Sequence, residues 1–323
     1  MAVRTIIKAP RMLCIYDINC VNDTYSILKE INNLVSEGKL VTLDLRNVEL
    51  ITAAASVLLF ATVNTCQLMN DNPTQVMCIF PKQKDNEIGH GFIVKTGLAK
   101  ALHAGSQEKL NELIENEAYF QSSTQPFNHS ISTAQMLSKR VQFDSVQYDL
   151  LVTAISEAML NVKHHAYNDP LSTISNPVVD TKKELLVSKL GLRWWQCAWF
   201  DSSKNEWVFI ICDIGLGIPE SMQISHKRQI SALNNVLDNQ SAVSLAFTKG
   251  GSRFYSGGRG NGSEDMKRAI GHSCKETDNL LVYSGGIRYQ YSKEMEKPDI
   301  KILNKYINGT LIEWTLKPKM NGG

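Results

Sequence analysis

The sequence lacks most of the features that would assign it at once. Its seven cysteines contain no Cys-x-x-Cys pair, and Cys212 falls inside an apolar run that reads as a core strand. Free thiols in a reducing cytosol are the economical reading. Charge of one sign is missing too: 34 Lys and Arg against 32 Asp and Glu leave a net charge of +2. That balance indicates neither a nucleic-acid partner nor an acidic membrane surface. The opening residues MAVRTIIKAPRML lack the apolar centre of a secretory signal, so a cytoplasmic protein is expected. The most apolar run, Leu50 to Val63, is too short to span a bilayer and contains Thr52 and Ser56. No internal repeat, low-complexity tract or G-x4-GK[ST] phosphate loop is present.

What is present is a chain of 323 residues, long enough for two domains at roughly 100–200 residues each. Residues 11–104 alternate strand and helix. Met12 to Asp17 reads as a strand, and Asp23 to Glu37 as an amphipathic helix with Tyr25, Leu28, Ile31 and Leu34 inward. Leu40 to Leu45 and Val76 to Phe80 read as buried strands. Thr52 to Met69 reads as a helix with Thr52 as its N-cap, and Ile93 to Leu102 as another helix. Such alternation predicts an α/β domain over residues 1–104. Residues 105–132, with Ala104-Gly105-Ser106 at their edge, a short acidic helix expected from Glu108 to Phe120 and the turn-rich QSSTQPFNHS, read as a linker. Residues 133–323 are expected to form the second domain.

The most informative stretch is SEAMLNVKHHAY, Ser156 to Tyr167, the second half of a helix that begins near Ser145. Glu157, Asn161 and His165 are spaced by four and four. Each step of four turns a helix by only about 40°, so the three share one stripe. The stripe runs back through Ala154 and Leu150, beside Leu151, Ile155, Ala158 and Val162, and is expected to face the interior. A carboxylate and an amide buried there unpaired would cost several kcal/mol. A metal ion with a polyanionic ligand would satisfy them; the alternative is a polar edge that is simply solvated.

Three further stretches follow. FIICDIGLGIPESM places Asp213 at the end of a strand (Phe209 to Cys212), ahead of Gly215 and Gly217. Its strand pairs in a predicted hairpin with Leu192 to Phe200, and Trp194, Trp195, Trp199 and Trp207 read as sheet and core residues. TKGGSRFYSGGRGNGSEDM, Thr248 to Met266, is glycine-rich and leads into a predicted helix from Glu264 to Ile270. INGTLIEWTL sets Gly309 and Thr310 at the start of the last strand. Taken in order, E-x3-N-x3-H, DxGxG, GRGNG and GT resemble the GHKL superfamily of ATP-binding domains. That group includes gyrase, heat-shock chaperones, MutL, sensor histidine kinases and anti-sigma-factor serine kinases. The resemblance covers roughly residues 140–317 and implies a Bergerat-type α/β sandwich that binds ATP with Mg2+.

It also implies roles. Asp213, an ionised acceptor at a strand end, would take the exocyclic amine of adenine and disfavour guanine, which offers a carbonyl there. Gly215 and Gly217 would let backbone approach the base. Lys249, Gly258, Arg259, Gly260, Asn261 and Gly262 would surround the phosphates, with the dipole of the following helix. Asn161 would be the magnesium ligand through its amide oxygen. Glu157 would be the general base, His165 its hydrogen-bonding neighbour, and Thr310 a holder of the base or its water. His164, off the stripe, is expected to be exposed. Residues 219–256 would be a lid over the nucleotide.

The centre of the first half, VTLDLRNVELITAAASVLL, is similar to a STAS domain, in which a strand ending in Asp precedes a helix opening Asp-Ser-Ser-Gly. Asp44 matches the strand. The helix opens Thr52-Ala53-Ala54-Ala55, so the position of the phosphorylated serine falls on Ala54. The expected activity is that of a slow ATPase whose lid closure regulates a protein partner. A serine/threonine kinase of the anti-sigma-factor type, or a nucleotide-gated module without turnover, are the alternatives, and a homodimer is compatible with any of them.

Overall fold

The computed structural model describes residues 3–140, 144–167, 177–202, 204–229, 237–248, 262–272 and 274–318. The chain divides into two compact units. The first comprises Met1–Ser122 with Ser188–Gly191 and Trp195–Cys197, and the second Ser123–Val187, Leu192–Trp194 and Ala198–Gly323.

In the first unit the strands are β1 (Arg4–Lys8), β2 (Met12–Leu13), β3 (Leu40–Asp44), β4 (Leu50–Ile51), β5 (Val76–Ile79) and β6 (Phe120–Ser123). Strands β1, β3 and β5 form a parallel sheet in that order, with Ile6 opposite Thr42 and Thr42 opposite Met77. Strands β2 and β4 make a separate parallel pair. Parallel neighbours need crossover connections, and these contain the helices Ile18–Ser36 and Ala53–Met69. The first helix buries Tyr25, Leu28 and Ile31 as its spacing predicts, while Leu34 is half-buried and Val35 takes the inner place. It starts earlier than expected. The strand foreseen to Asp17 stops at Leu13, because the Asp17 side chain accepts the backbone N–H of Asn19 and caps the helix. Thr52 caps the second helix through the N–H of Ala55. That helix is apolar around most of its circumference, as a fully enclosed helix must be. The helix foreseen over residues 93–102 is two pieces, because Gly97 takes a φ of +86° before Leu98–Leu102.

Within the expected linker, residues 105–132, the foreseen acidic helix is present but ends at Glu115, and the stretch read as turn-rich holds a strand and the start of a helix instead. Gln107–Glu115 is a helix capped by Ser106 with Leu110 and Leu113 buried, β6 follows, and Pro126–Arg140 is a helix. The polar residues that suggested a loop, Gln121 and Ser122, are buried in β6.

The second unit adds β7 (Trp194–Asp201), β8 (Glu206–Cys212), β9 (Asn279–Ser284), β10 (Ile287–Tyr291), β11 (Asp299–Ile302) and β12 (Thr310–Leu316). They belong to a large sheet in the order β11-β10-β9-β12-β8-β7, and every pairing among β8 to β12 is antiparallel. The last strand of the sequence therefore lies between β8 and β9. This sets Thr310 opposite Ser284 and Leu311 opposite Cys212. One face of the sheet, with Trp207, Phe209, Ile211, Val282, Ile312 and Trp314, is packed with Leu151, Ile155, Ala158 and Met159 of the helix Ser145–Asn161 in one core. Trp194, Trp195 and Trp207 are fully buried, and Trp199 is half-buried. Trp314 Nε1 donates to the carbonyl of Met266 at 2.9 Å, fixing the helix Gly262–Arg268 to the sheet.

Candidate functional site

The helix Ser145–Asn161 positions one wall. Asp144 caps it, accepting from Val146 N at 3.0 Å and Gln147 N at 3.2 Å, and the His272 ring lies 3.1 Å from the same carboxylate. The buried face is Leu151, Ala154, Ile155, Ala158, Met159 and Val162. Glu157 and Asn161 lie at its margin and are half-buried rather than turned inward. Water still reaches that margin, so charge there costs less than in the core. Glu157 faces the start of the helix Gly262–Arg268: one carboxylate oxygen lies 2.8 Å from where a Cβ on Gly262 would stand. Any side chain at 262 would displace that carboxylate.

The stripe does not run on to His165. After Asn161 the chain widens into a π-turn over Val162–Ala166, in which the backbone bonds reach five residues instead of four. Four residues then make less than a turn, so His165 leaves the register of Glu157 and Asn161. His165 and His164 are both half-buried, their rings 6.4 Å apart in an edge arrangement, so the expectation of an exposed His164 is corrected. At the end of the π-turn the Ala166 carbonyl accepts Leu216 N–H at 2.7 Å. The helix end is thereby joined to the loop after β8.

That loop is the centre of the site. Asp213 follows β8 as expected, and its N–H donates to the Thr310 carbonyl at 2.9 Å. Its carboxylate accepts from Gly215 N–H at 2.8 Å and is buried. Burial raises its pKa to about 7, against the opposing effect of backbone N–H groups at Gly215 and Thr310. The glycines are required by space. A Cβ on Gly215 would lie 2.0 Å from the Ala166 carbonyl oxygen, and one on Gly309 would lie 2.1 Å from that of Asp213. Gly217 has a φ of +78° and passes within 2.9 Å, measured from its ideal Cβ, of both the Gly309 carbonyl oxygen and Ser284 Oγ. Thr310 opens β12 and is buried.

Two participants were missed in the sequence. Ser284 Oγ lies 3.0 Å from Thr310 Oγ1 and 3.0 Å from the Gly309 carbonyl, and accepts Ile218 N–H at 2.8 Å. Tyr167 donates its hydroxyl to the Arg193 carbonyl and accepts Ile214 N–H at 3.4 Å. Burial holds the Tyr167 phenol well above the usual tyrosine range, with the Asp213 charge adding to it, so it stays protonated. The available signals were a serine closing an apolar strand and a tyrosine closing the helix.

The structure thus brings Asp213, Gly215, Gly217, Gly309 and Thr310 together, and separately sets Glu157 against Gly262. Lys249, Gly258, Arg259, Gly260 and Asn261 lie outside the described residues. The segment expected as a lid, 219–256, contains the helices Ile218–Gln229 and Asn239–Ala246. Two of its described residues are anchored: Val243 and Phe247 belong to the core, and the Phe247 ring stacks on Tyr289 at 4.5 Å. In the first unit, Asp44 is ion-paired with Arg46, whose hydrogen bonds hold its carboxyl below the usual range. Ala54, at the phosphoacceptor position of the STAS resemblance, is fully buried. Among the described residues, no group of three or more His, Cys, Asp and Glu is placed to hold a metal ion, and no helix is long and apolar enough to cross a membrane. No protein-family model matches the chain, and neither a curated protein nor a solved structure matches it.

Proposed function

We propose that the second unit is an ATP-binding domain of the GHKL type that works with Mg2+, and that the chain is a slow ATPase acting on a protein partner. The observation that carries this reading is the buried acceptor at Asp213. A carboxylate taken out of water needs donors, and backbone N–H groups of Gly215 and Thr310 supply some without a charged partner among them. Around it Gly215, Gly217 and Gly309 let the loop after β8, the helix end at Ala166 and the start of β12 close on one another, which holds the carboxylate in place.

Each residue has a task under this reading. Asp213 accepts a hydrogen bond from the adenine amine, and Thr310 presents a hydroxyl beside it. Asn161, half-buried at the helix end, would hold magnesium through its amide oxygen, a hard donor of the kind that ion prefers. Lone metal ligation by protein is compatible with magnesium, which keeps most of its water. ATP bound there supplies a phosphoanhydride bond as the group to be cleaved. Glu157 takes a proton from the attacking water, for which a half-exposed carboxylate beside Gly262 is accessible. Phosphate contacts are assigned by the resemblance to Lys249, Gly258, Arg259, Gly260, Asn261 and Gly262. His165, displaced by the π-turn, is left as a neighbour of His164. In the first unit, the burial of Ala54 disfavours a phosphorylation in cis at that helix start and leaves a STAS-type fold there as a docking element.

The test is calorimetry and turnover on the full chain. Mg-ATP should bind with GTP competing poorly, and Glu157→Gln should retain binding while phosphate release falls by about 10²–10⁴-fold, the contribution of a positioned base. Equal competition by GTP would remove the Asp213 assignment. Equal turnover in wild type and Glu157→Gln would remove the enzymatic one.

A further inference from the structure

Ser284 occupies a position that the expected roles leave unused. It is 1% exposed and closes β9, directly opposite Thr310 in the antiparallel ladder. Cross-strand neighbours bring their Cβ atoms within about 5 Å, close enough for two hydroxyls to bond. A serine hydroxyl has one proton and two lone pairs. Three groups compete for them: Ile218 N–H at 2.8 Å, the Gly309 carbonyl at 3.0 Å and Thr310 Oγ1 at 3.0 Å. The amide can only donate, so it takes one lone pair. The carbonyl can only accept, so it takes the proton. One lone pair remains, and Thr310 must donate to it. The Thr310 proton is thereby directed at Ser284, and its own lone pairs are left for the site.

The same bond reaches the neighbouring helix. Ile218 is the first residue of the helix Ile218–Gln229, and its N–H is one of the four at a helix start that find no partner within the helix. Ser284 supplies that partner from β9.

We propose that Ser284 is a positioning residue that makes Thr310 a hydrogen-bond acceptor toward the ligand and ties it to the start of the helix Ile218–Gln229, so that the site selects a ring edge carrying an N–H donor. This rests on the adenine-nucleotide reading above. Asp213 and Thr310 then both accept, and a ligand in direct contact must offer N–H donors to them. A 6-aminopurine does so; a purine with hydrogen at that carbon does not.

The test compares affinities of ATP and of purine riboside 5′-triphosphate, which lacks the amino group, for the full chain by calorimetry. Wild type should prefer ATP by at least about tenfold, the scale of a lost hydrogen bond. Ser284→Ala should lose most of that preference, weakening ATP by about tenfold and the analogue by no more than about twofold. A merely structural role would weaken both alike. Ser284→Cys, which keeps the shape with a poor donor, serves if Ser284→Ala does not fold. In a Thr310→Val background, where the hydroxyl is already gone, Ser284→Ala should not change the ratio further. An unchanged preference in the Ser284 variant, or an effect that adds to that of Thr310→Val, would overturn the proposal. A wild-type chain that binds neither nucleotide, or both equally, would overturn the adenine reading beneath it, and is recognised without any variant.

Discussion

Under the proposed adenine reading, the pH dependence of nucleotide affinity is the sharpest consequence of the buried Asp213. Its carboxyl, raised by burial to about 7, is protonated in a large fraction of molecules at neutral pH. A protonated carboxyl has lost much of its power to accept from an amine, so ligand affinity must fall as pH drops below about 7. In the limit where only the ionised form binds, each pH unit costs about 1.4 kcal/mol, or tenfold. Moving from pH 7.5 to pH 5.5 should therefore weaken ATP binding by about 10- to 50-fold. Stability of the unliganded chain runs the opposite way. The folded pKa lies above the unfolded one, so the native state holds its proton over the window from about 4 to 7 and stability falls as pH rises through that window. The full penalty above pH 7 corresponds to about 4 kcal/mol for a rise of about three pH units. Asp213→Asn removes both effects. It should weaken ATP by about 1–3 kcal/mol at pH 8, flatten the pH profile, and leave the unliganded chain more stable than wild type at pH 8. Calorimetry and thermal melts from pH 5.5 to 8.5 measure all three. An affinity independent of pH in wild type, or the same profile in Asp213→Asn, would refute the reasoning.

Asn161→Ala should abolish the dependence of nucleotide affinity on magnesium, read by titrating the metal at fixed nucleotide; superimposable titrations would remove Asn161 as the ligand. Gly309→Ala places a Cβ 2.1 Å from the Asp213 carbonyl oxygen at a φ of +80°, so it must part β8 from β12 at the site. A loss of at least about 2 kcal/mol in stability is expected from strain at such a position, together with loss of nucleotide binding, and an unchanged melt would count against the close approach.

These tests fall on residues of very different legibility. Asp213 and Thr310 could be placed from sequence because each ends or begins a strand whose apolar run is unmistakable. The pairing of β8 with β12 then joins them. The helix start near Ser145 was equally plain. Its π-turn was not, since nothing in VKHHA marks a change from four-residue to five-residue bonding, and His165 was assigned to a register it does not keep. The strand β6 was hidden for a different reason: its buried residues Gln121 and Ser122 are polar, and polarity was read as exposure. Strand β1, Arg4–Lys8, is too short and too mixed to declare itself, and only its pairing with β3 defines it.

Ser284 shows where sequence reasoning runs out. Nothing about a serine at the end of a strand says which partner it will have, because that depends on β12 crossing to lie beside β9. Once the register is known, a count of protons and lone pairs on one hydroxyl is enough to orient its neighbour. Local pattern placed Asp213 at the end of β8 and Thr310 at the start of β12. The residue that sets how they present themselves became visible only through the sheet, since its three partners lie on Ile218, Gly309 and Thr310, far from it in the chain.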